Sequence, residues 1–253
     1  MRRPQRPAMR PVKRIRALAI AVLVVAGGWL IAREGSAQRQ PVGLFTSLPI
    51  LWNEAVDVAG LLKSDTPPHW AKAALAARGD IVALDRLDAG SIQGLSRLAI
   101  AQPRPLSPDE NVALDAWVKG GGKLLLLADP ALTAESAFAL ADRRRPQAVV
   151  LLSPILTRWG LGLEFDDAQT FGEHPVKVMD VEVPVNLPGR FVLSGGAATS
   201  NCRSWADGLA VSCAIGKGRV IALADAALLD QDDPDGSRRS ALDWLLTATF
   251  AGH

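Results

Sequence analysis

The chain has 253 residues, 49% of them hydrophobic and 21% charged, enough to bury a substantial core as one large domain or two small ones and too apolar for a disordered chain. The formal charge of +2 is unevenly placed: Met1 to Arg16 carry Arg2, Arg3, Arg6, Arg10, Lys13, Arg14 and Arg16 with no acid, and the other 21 basic residues face 26 acidic ones, a formal charge of −5. Because the positive charge lies in a Pro-rich tail and not on a folded surface, nucleic acid is not expected as a partner.

The basic tail, residues 1–16, leads into ALAIAVLVVAGGWLIA, residues 17–32, an uncharged run between Arg16 and Arg33. As a helix it would rise roughly 24 Å against a hydrocarbon layer of ~30 Å. Two readings stay open. In one, Arg16 and Arg33 snorkel to the headgroups and residues 17–33 are a single-pass anchor in the inner membrane, with Trp29 near the outer interface. In the other, the run is the core of a signal peptide cleaved after Ala37, with Gly35 and Ala37 as the small residues. Either way the basic end stays in the cytoplasm and the remainder is exported to the periplasm, behind a polar linker at residues 34–41.

Residues 42–253 read as one α/β domain. Apolar strands are predicted at Val42 to Thr46, Ile81 to Leu84, Leu98 to Ala101, Lys123 to Ala128 and Val220 to Ala224. Helices are predicted near Trp70 to Ala77, Pro108 to Lys119, Val149 to Trp159 and Ser237 to Phe250. Nearly continuous apolar strands alternating with helices predict a doubly wound, mostly parallel sheet covered on both faces. Between Val176 and Ile215 the chain alternates or runs extended with Pro and Gly breaks, which predicts antiparallel strands added to that sheet or packed beside it.

The clearest local signal is SPDENVALDAWVKGGGKLLLLADP, residues 107–130. Ser107 is an N-cap, Pro108 suits the first helical position, and Glu110 completes a capping box. Ala113, Ala116 and Trp117 share a face expected to lie on the sheet. Gly120 to Gly122 end the helix, and LLLLA has no polar face for solvent, so it belongs in a central strand. Farther on, Ala206-Asp207-Gly208 reads as a hairpin turn that sets Cys202 and Cys213 roughly opposite each other. In an oxidising compartment they are a candidate disulfide; otherwise they are two small buried hydrophobes.

That segment, followed by SPILTRWGLGLEFDD (residues 153–167) and GKGRVIALADAALLDQDD (residues 216–233), resembles the soluble domain of the auxiliary component of gliding-motility-type ABC transporters. The resemblance implies a fold related to class I glutamine amidotransferases, flavodoxin-like in outline, on the exported side of a membrane helix. It implies ABC permease and ATPase subunits as partners. It further implies a non-catalytic relative of an enzyme fold. Amidotransferases of this class place a cysteine at a strand-to-helix elbow, whereas the strand ends here lead to Thr46-Ser47, Asp85, Gln102, Asp129 and Asp225.

Asp85, Asp129 and Asp225 are the candidate chemistry, with Thr46 and Ser47 as further crevice positions. All three aspartates come directly after strands whose carboxyl ends share one edge of a parallel sheet, where ligands bind such folds. Gathered there, they could hold a divalent cation for a metal-dependent hydrolase; alternatively each turns the chain as it leaves its strand. The second reading is favoured, because no nucleophile, general base or phosphate loop accompanies them. His69, His174 and His253 lack ligand spacing for zinc, and the tryptophans suit core or interface positions. No cofactor is expected.

Overall fold

Strand pairing, more than any local signal, decides which side chains of this chain meet. The computed structural model describes residues 40–52, 54, 67–140, 142–194, 200–230, 233 and 235–251. The basic tail, the apolar run and most of the linker lie outside the described residues, and so does His253. No described helix is long and apolar enough to cross a membrane.

The chain is mixed α/β with a mostly parallel central sheet. Its strands are β1 (Val42–Thr46), β2 (Ile81–Ala83), β3 (Arg97–Ala101), β4 (Lys123–Leu127), β9 (Ser200–Trp205), β10 (Ala210–Ile215) and β11 (Gly218–Leu223). They lie in the order β2-β1-β3-β4-β11-β10-β9, the first five mutually parallel and the last two joined antiparallel. Side chains alternate between two cores. Leu44, Ala99, Leu125, Leu127, Ile221 and Leu223 face one core with helices α1 (Trp70–Ala76) and α4 (Ser237–Phe250). Leu98, Ile100, Leu124, Leu126, Val220 and Ala222 face the other with α2 (Pro108–Lys119) and α3 (Ser153–Arg158). Covering both faces is what makes the LLLL run of β4 favourable, since neither row of leucines meets water.

Both expectations for the extended region hold in different places. β9 and β10 extend the main sheet, whereas β6 (His174–Val178) with β7 (Val181–Val185), and β5 (Leu161–Glu164) with β8 (Arg190–Leu193), form separate two-stranded ribbons. The turn at Ala206–Gly208 aligns Cys202 directly opposite Cys213, with Cα atoms 4.0 Å apart, and the two are disulfide-bonded. Closing this short loop is worth on the order of 2–3 kcal/mol in the chain-entropy account. Replacing both cysteines by serine is expected to lower the denaturation midpoint accordingly, and added reductant is expected to shift the parent protein but not the variant. Equal midpoints with and without reductant would show that the bridge contributes nothing.

The predicted capping box is present: Ser107 Oγ accepts from Glu110 N, and the Glu110 carboxylate accepts from Ser107 N at 2.8 Å. Two expectations are corrected. Of the expected inner face of α2, Ala113 and Trp117 do pack against the core on that side of the sheet, but Ala116 is exposed, and the fully buried positions are Glu110, Leu114, Asp115 and Val118. The helix predicted over Val149 to Trp159 is confined to Ser153–Arg158, because Pro154 occupies its first turn and the preceding residues are not helical, Val150 N donating to Asp129 O.

Buried acids on α2 find partners distant in sequence. Glu110 takes Arg104 through both carboxylate oxygens and also accepts from Leu87 N, and the Arg104 hydrogen bond is the main reason its carboxyl falls to about 2. Burial pushes Asp115 up, but hydrogen bonds from Lys119, Arg158 and Trp159 Nε1 outweigh it and hold the carboxyl below its ordinary value.

Candidate functional site

The carboxyl edge of the sheet is built from the residues immediately after each strand. After β1, Thr46 Oγ1 accepts from Leu48 N, and Ser47 Oγ donates to Gln102 O at 2.5 Å while accepting from Gln147 N at 3.0 Å. After β3 comes Gln102, fully buried with φ of 42°, a left-handed conformation that costs a non-glycine residue on the order of 1 kcal/mol or more. Its carboxamide holds it there: Nε2 donates to Asp129 O at 3.0 Å and Gln147 O at 2.8 Å, and Oε1 accepts from Asp129 N at 2.9 Å. Gln102 therefore sits at a strand-to-helix elbow, with its side chain committed to the backbone of the segments leading from β4 and into α3.

Asp129 and Asp225 lie just past the adjacent strands β4 and β11, and both are completely buried. Each carboxylate oxygen takes one backbone donor. Asp129 Oδ1 accepts from Ala131 N (2.7 Å) and Oδ2 from Ala226 N (3.1 Å); Asp225 Oδ1 accepts from Ala227 N (2.6 Å) and Oδ2 from Asn186 N (3.0 Å). Burial pushes Asp129 up to about 6, against the two backbone hydrogen bonds that favour its charge. Burial and then the nearby Asp129 push Asp225 well above the ordinary carboxylate value.

Asp85 does not join them. It is exposed at the end of β2, an edge strand three strand spacings from β4, roughly 14 Å across the sheet. Among the described residues, no group of three His, Cys, Asp or Glu side chains is arranged to hold a metal ion. Of the five sequence candidates, the structure brings Ser47 into the Gln102–Asp129 network and sets Asp129 beside Asp225. Thr46 caps its own turn.

Beside this edge is a cleft of about 1060 Å³ lined in part by Leu48, Trp52, Trp70, Phe171, Asn186 and Asp230. His69 helps to shape it. Its Nδ1 accepts from Ala71 N, capping α1, so in the neutral ring Nε2 carries the proton and donates to Leu229 O at 3.1 Å. Burial lowers the His69 pKa, outweighing that carbonyl contact. Trp70 Nε1 donates to Asp230 O at 2.9 Å, so two consecutive side chains fix the carbonyls after β11. Asn186, which also lines the cleft, accepts from Gly172 N through Oδ1 at 3.0 Å.

Sequence reasoning misses the parts played by Gln102 and Asn186. The one local signal for Gln102 is a polar residue between an apolar strand and Pro103; Asn186 gives none, because its role depends on the contact between its backbone and Asp225.

No family and no curated protein matches this sequence. Among solved structures, an exo-β-1,4-mannosidase from an Opitutaceae bacterium superposes on 87% of this chain with a TM-score of 0.51 at 12% identity. The match takes up only 37% of the mannosidase chain, so this protein spans little more than a third of its length. A cytoplasmic protein from Salmonella typhimurium (12% identity, 83% of this chain, 98% of that one, TM-score 0.48) and a ThuA-like protein from Bacteroides uniformis (10% identity, 85% and 91%, TM-score 0.45) are more distant in shape. At these identities the likeness concerns the α/β fold alone.

Proposed function

We propose that this protein is a non-catalytic binding domain, tethered to the inner membrane and exported to the periplasm, that serves as an auxiliary component of an ABC transport or cell-envelope system. In fold it would be a doubly wound domain of the glutamine amidotransferase and flavodoxin-like class. Supporting the fold are the parallel β2-β1-β3-β4-β11 order and the helices on both faces.

One observation carries the functional reading. The polar groups at the carboxyl edge, namely both oxygens of Asp129 and Asp225 and both ends of the Gln102 carboxamide, are engaged by backbone, while a cleft lies beside them. Such an edge holds a shape and offers the cleft for recognition, with permease or ATPase subunits as the partners the reading requires. The alternative, a hydrolase using Asp85, Asp129 and Asp225 around a divalent cation, is weakened by the exposed and distant Asp85.

A photo-crosslinker placed at Phe171, which is 71% exposed on the cleft wall, tests the reading in native membranes. The expected adducts contain transporter subunits. Stoichiometric, Mg²⁺-dependent turnover of a phosphoester, lost in Asp129→Asn, would instead establish the hydrolase.

A further inference from the structure

At the opposite, amino edge of the sheet the structure gathers positive charge. Arg97, Lys123 and Arg219 stand side by side in register on β3, β4 and β11, all turned to the α1 and α4 face. Lys123 Nζ donates to the carbonyls of Phe250 and Ala251, Arg219 to Ala248 O, and Arg97 to Arg78 O. These contacts cap the ends of α4 and α1, as cations do at helix C-termini. Partial charges on carbonyls do not neutralise three full cations, and α2 and the β10–β11 turn bring Lys119 and Lys217 to the same edge, where Lys217 N donates to Lys119 O. The carboxylates at hand are few: Asp243 pairs with Arg78, Asp115 with Lys119, and Asp80 stands exposed. Burial, with Arg97 and Arg219 close by, lowers the Lys123 pKa, as expected of an unneutralised cluster.

The chain enters the domain at this same edge. Gln40 Oε1 accepts from Ser96 Oγ, Val42 N donates to Asp80 O, and β1 begins at Val42. The apolar run ends at Ala32, so the intervening residues 33–41 reach at most about 30 Å when fully extended.

From charge and chain entry together, and resting on the tether reading above, we infer that the amino edge, with Arg97, Lys123, Lys217 and Arg219, is a docking face for anionic phospholipid headgroups. Docked in this way, the domain turns its carboxyl-edge cleft away from the bilayer.

The full chain reconstituted into nanodiscs of phosphatidylcholine, alone or with a third phosphatidylglycerol, tests this by amide hydrogen exchange. Segments 119–123 and 216–219 are expected to exchange about fivefold more slowly on the anionic discs. That protection should vanish in about 0.5 M salt and in Lys217→Glu/Arg219→Gln, with Lys217→Glu alone as the milder variant should the pair unfold. Equal exchange on the two lipids, or protection unchanged in the variants, overturns the inference. Extraction of the chain by alkaline carbonate would refute the tether on its own. Docking is then read from sedimentation of the same chain with anionic against neutral vesicles. There, binding that the variants retain belongs to the basic tail and also overturns the inference.

Discussion

Asp129→Asn is expected to flatten the dependence of stability on pH between about 4.5 and 7. Both buried aspartates have raised folded-state pKa values, so the folded protein holds protons that the unfolded chain has released. Their contribution is complete below the ordinary value of 3.8 and is lost as pH rises through the raised folded-state values, about 6 for Asp129, with Asp225 also well above the ordinary value. For Asp129 alone the loss is on the order of 3 kcal/mol. His69 works in the other direction: its lowered pKa gives stability above 6.5 that is lost as pH falls, so the parent slope is the sum of opposed terms. The difference between parent and variant isolates the aspartate. Denaturant midpoints at about pH 4.5, 5.5, 6.5 and 7.5 supply that difference, and a constant gap between the two proteins would show that Asp129 does not titrate in this range. The variant should be the less stable of the two at the acid end, because Nδ2 of asparagine opposes a backbone N–H where carboxyl oxygens accept from both Ala131 and Ala226. Removing the charge at 129 also relieves Asp225, which further flattens the curve.

Gly218→Ala is expected to destabilise the domain by about 3 kcal/mol or more. A methyl group there would lie 2.0 Å from the carbonyl oxygen of Val118, in the last turn of α2, and 2.5 Å from that of Gly122, in the turn joining α2 to β4. No rotamer change relieves such a contact, so α2 or β11 must move, and with them the core containing Val118 and Val220. Gly90→Ala is the control. Its added methyl meets nothing nearer than Asp88 Oδ1 at 3.6 Å, and the exposed loop should tolerate it within about 0.5 kcal/mol. Thermal or denaturant unfolding of the two variants against the parent checks the pair, and equal losses would remove the close-approach explanation.

The effect at Gly218 also shows how local reading and tertiary fact divide. A glycine next to Gly216-Lys217 looks like part of a turn, yet what requires it is the carbonyl of Val118, a hundred residues earlier. Asp115 is similar. Helical spacing places it on α2, but only the folded chain supplies Arg158 and Trp159 Nε1 to a buried carboxylate. The burial of Glu110 on the same helix has the same origin, since its partners Arg104 and Leu87 N are brought to it by the fold.

Several elements follow from neighbouring residues alone. β1 spans Val42–Thr46, α2 runs Pro108–Lys119 between its capping box and its glycines, and two cysteines flank a three-residue turn. These arise from interactions a few residues apart, in which capping, backbone freedom and period-two burial act without reference to the rest of the chain. Which strands are neighbours depends instead on the folding of the whole chain. Setting β11 against β4 buried Asp129 beside Asp225, and leaving β2 at the rim kept Asp85 in water, so three aspartates with the same local signature came to have different chemistry. Desolvation and charge coupling act through space over a few ångströms, and residues nearly a hundred positions apart come within that range only when the sheet forms.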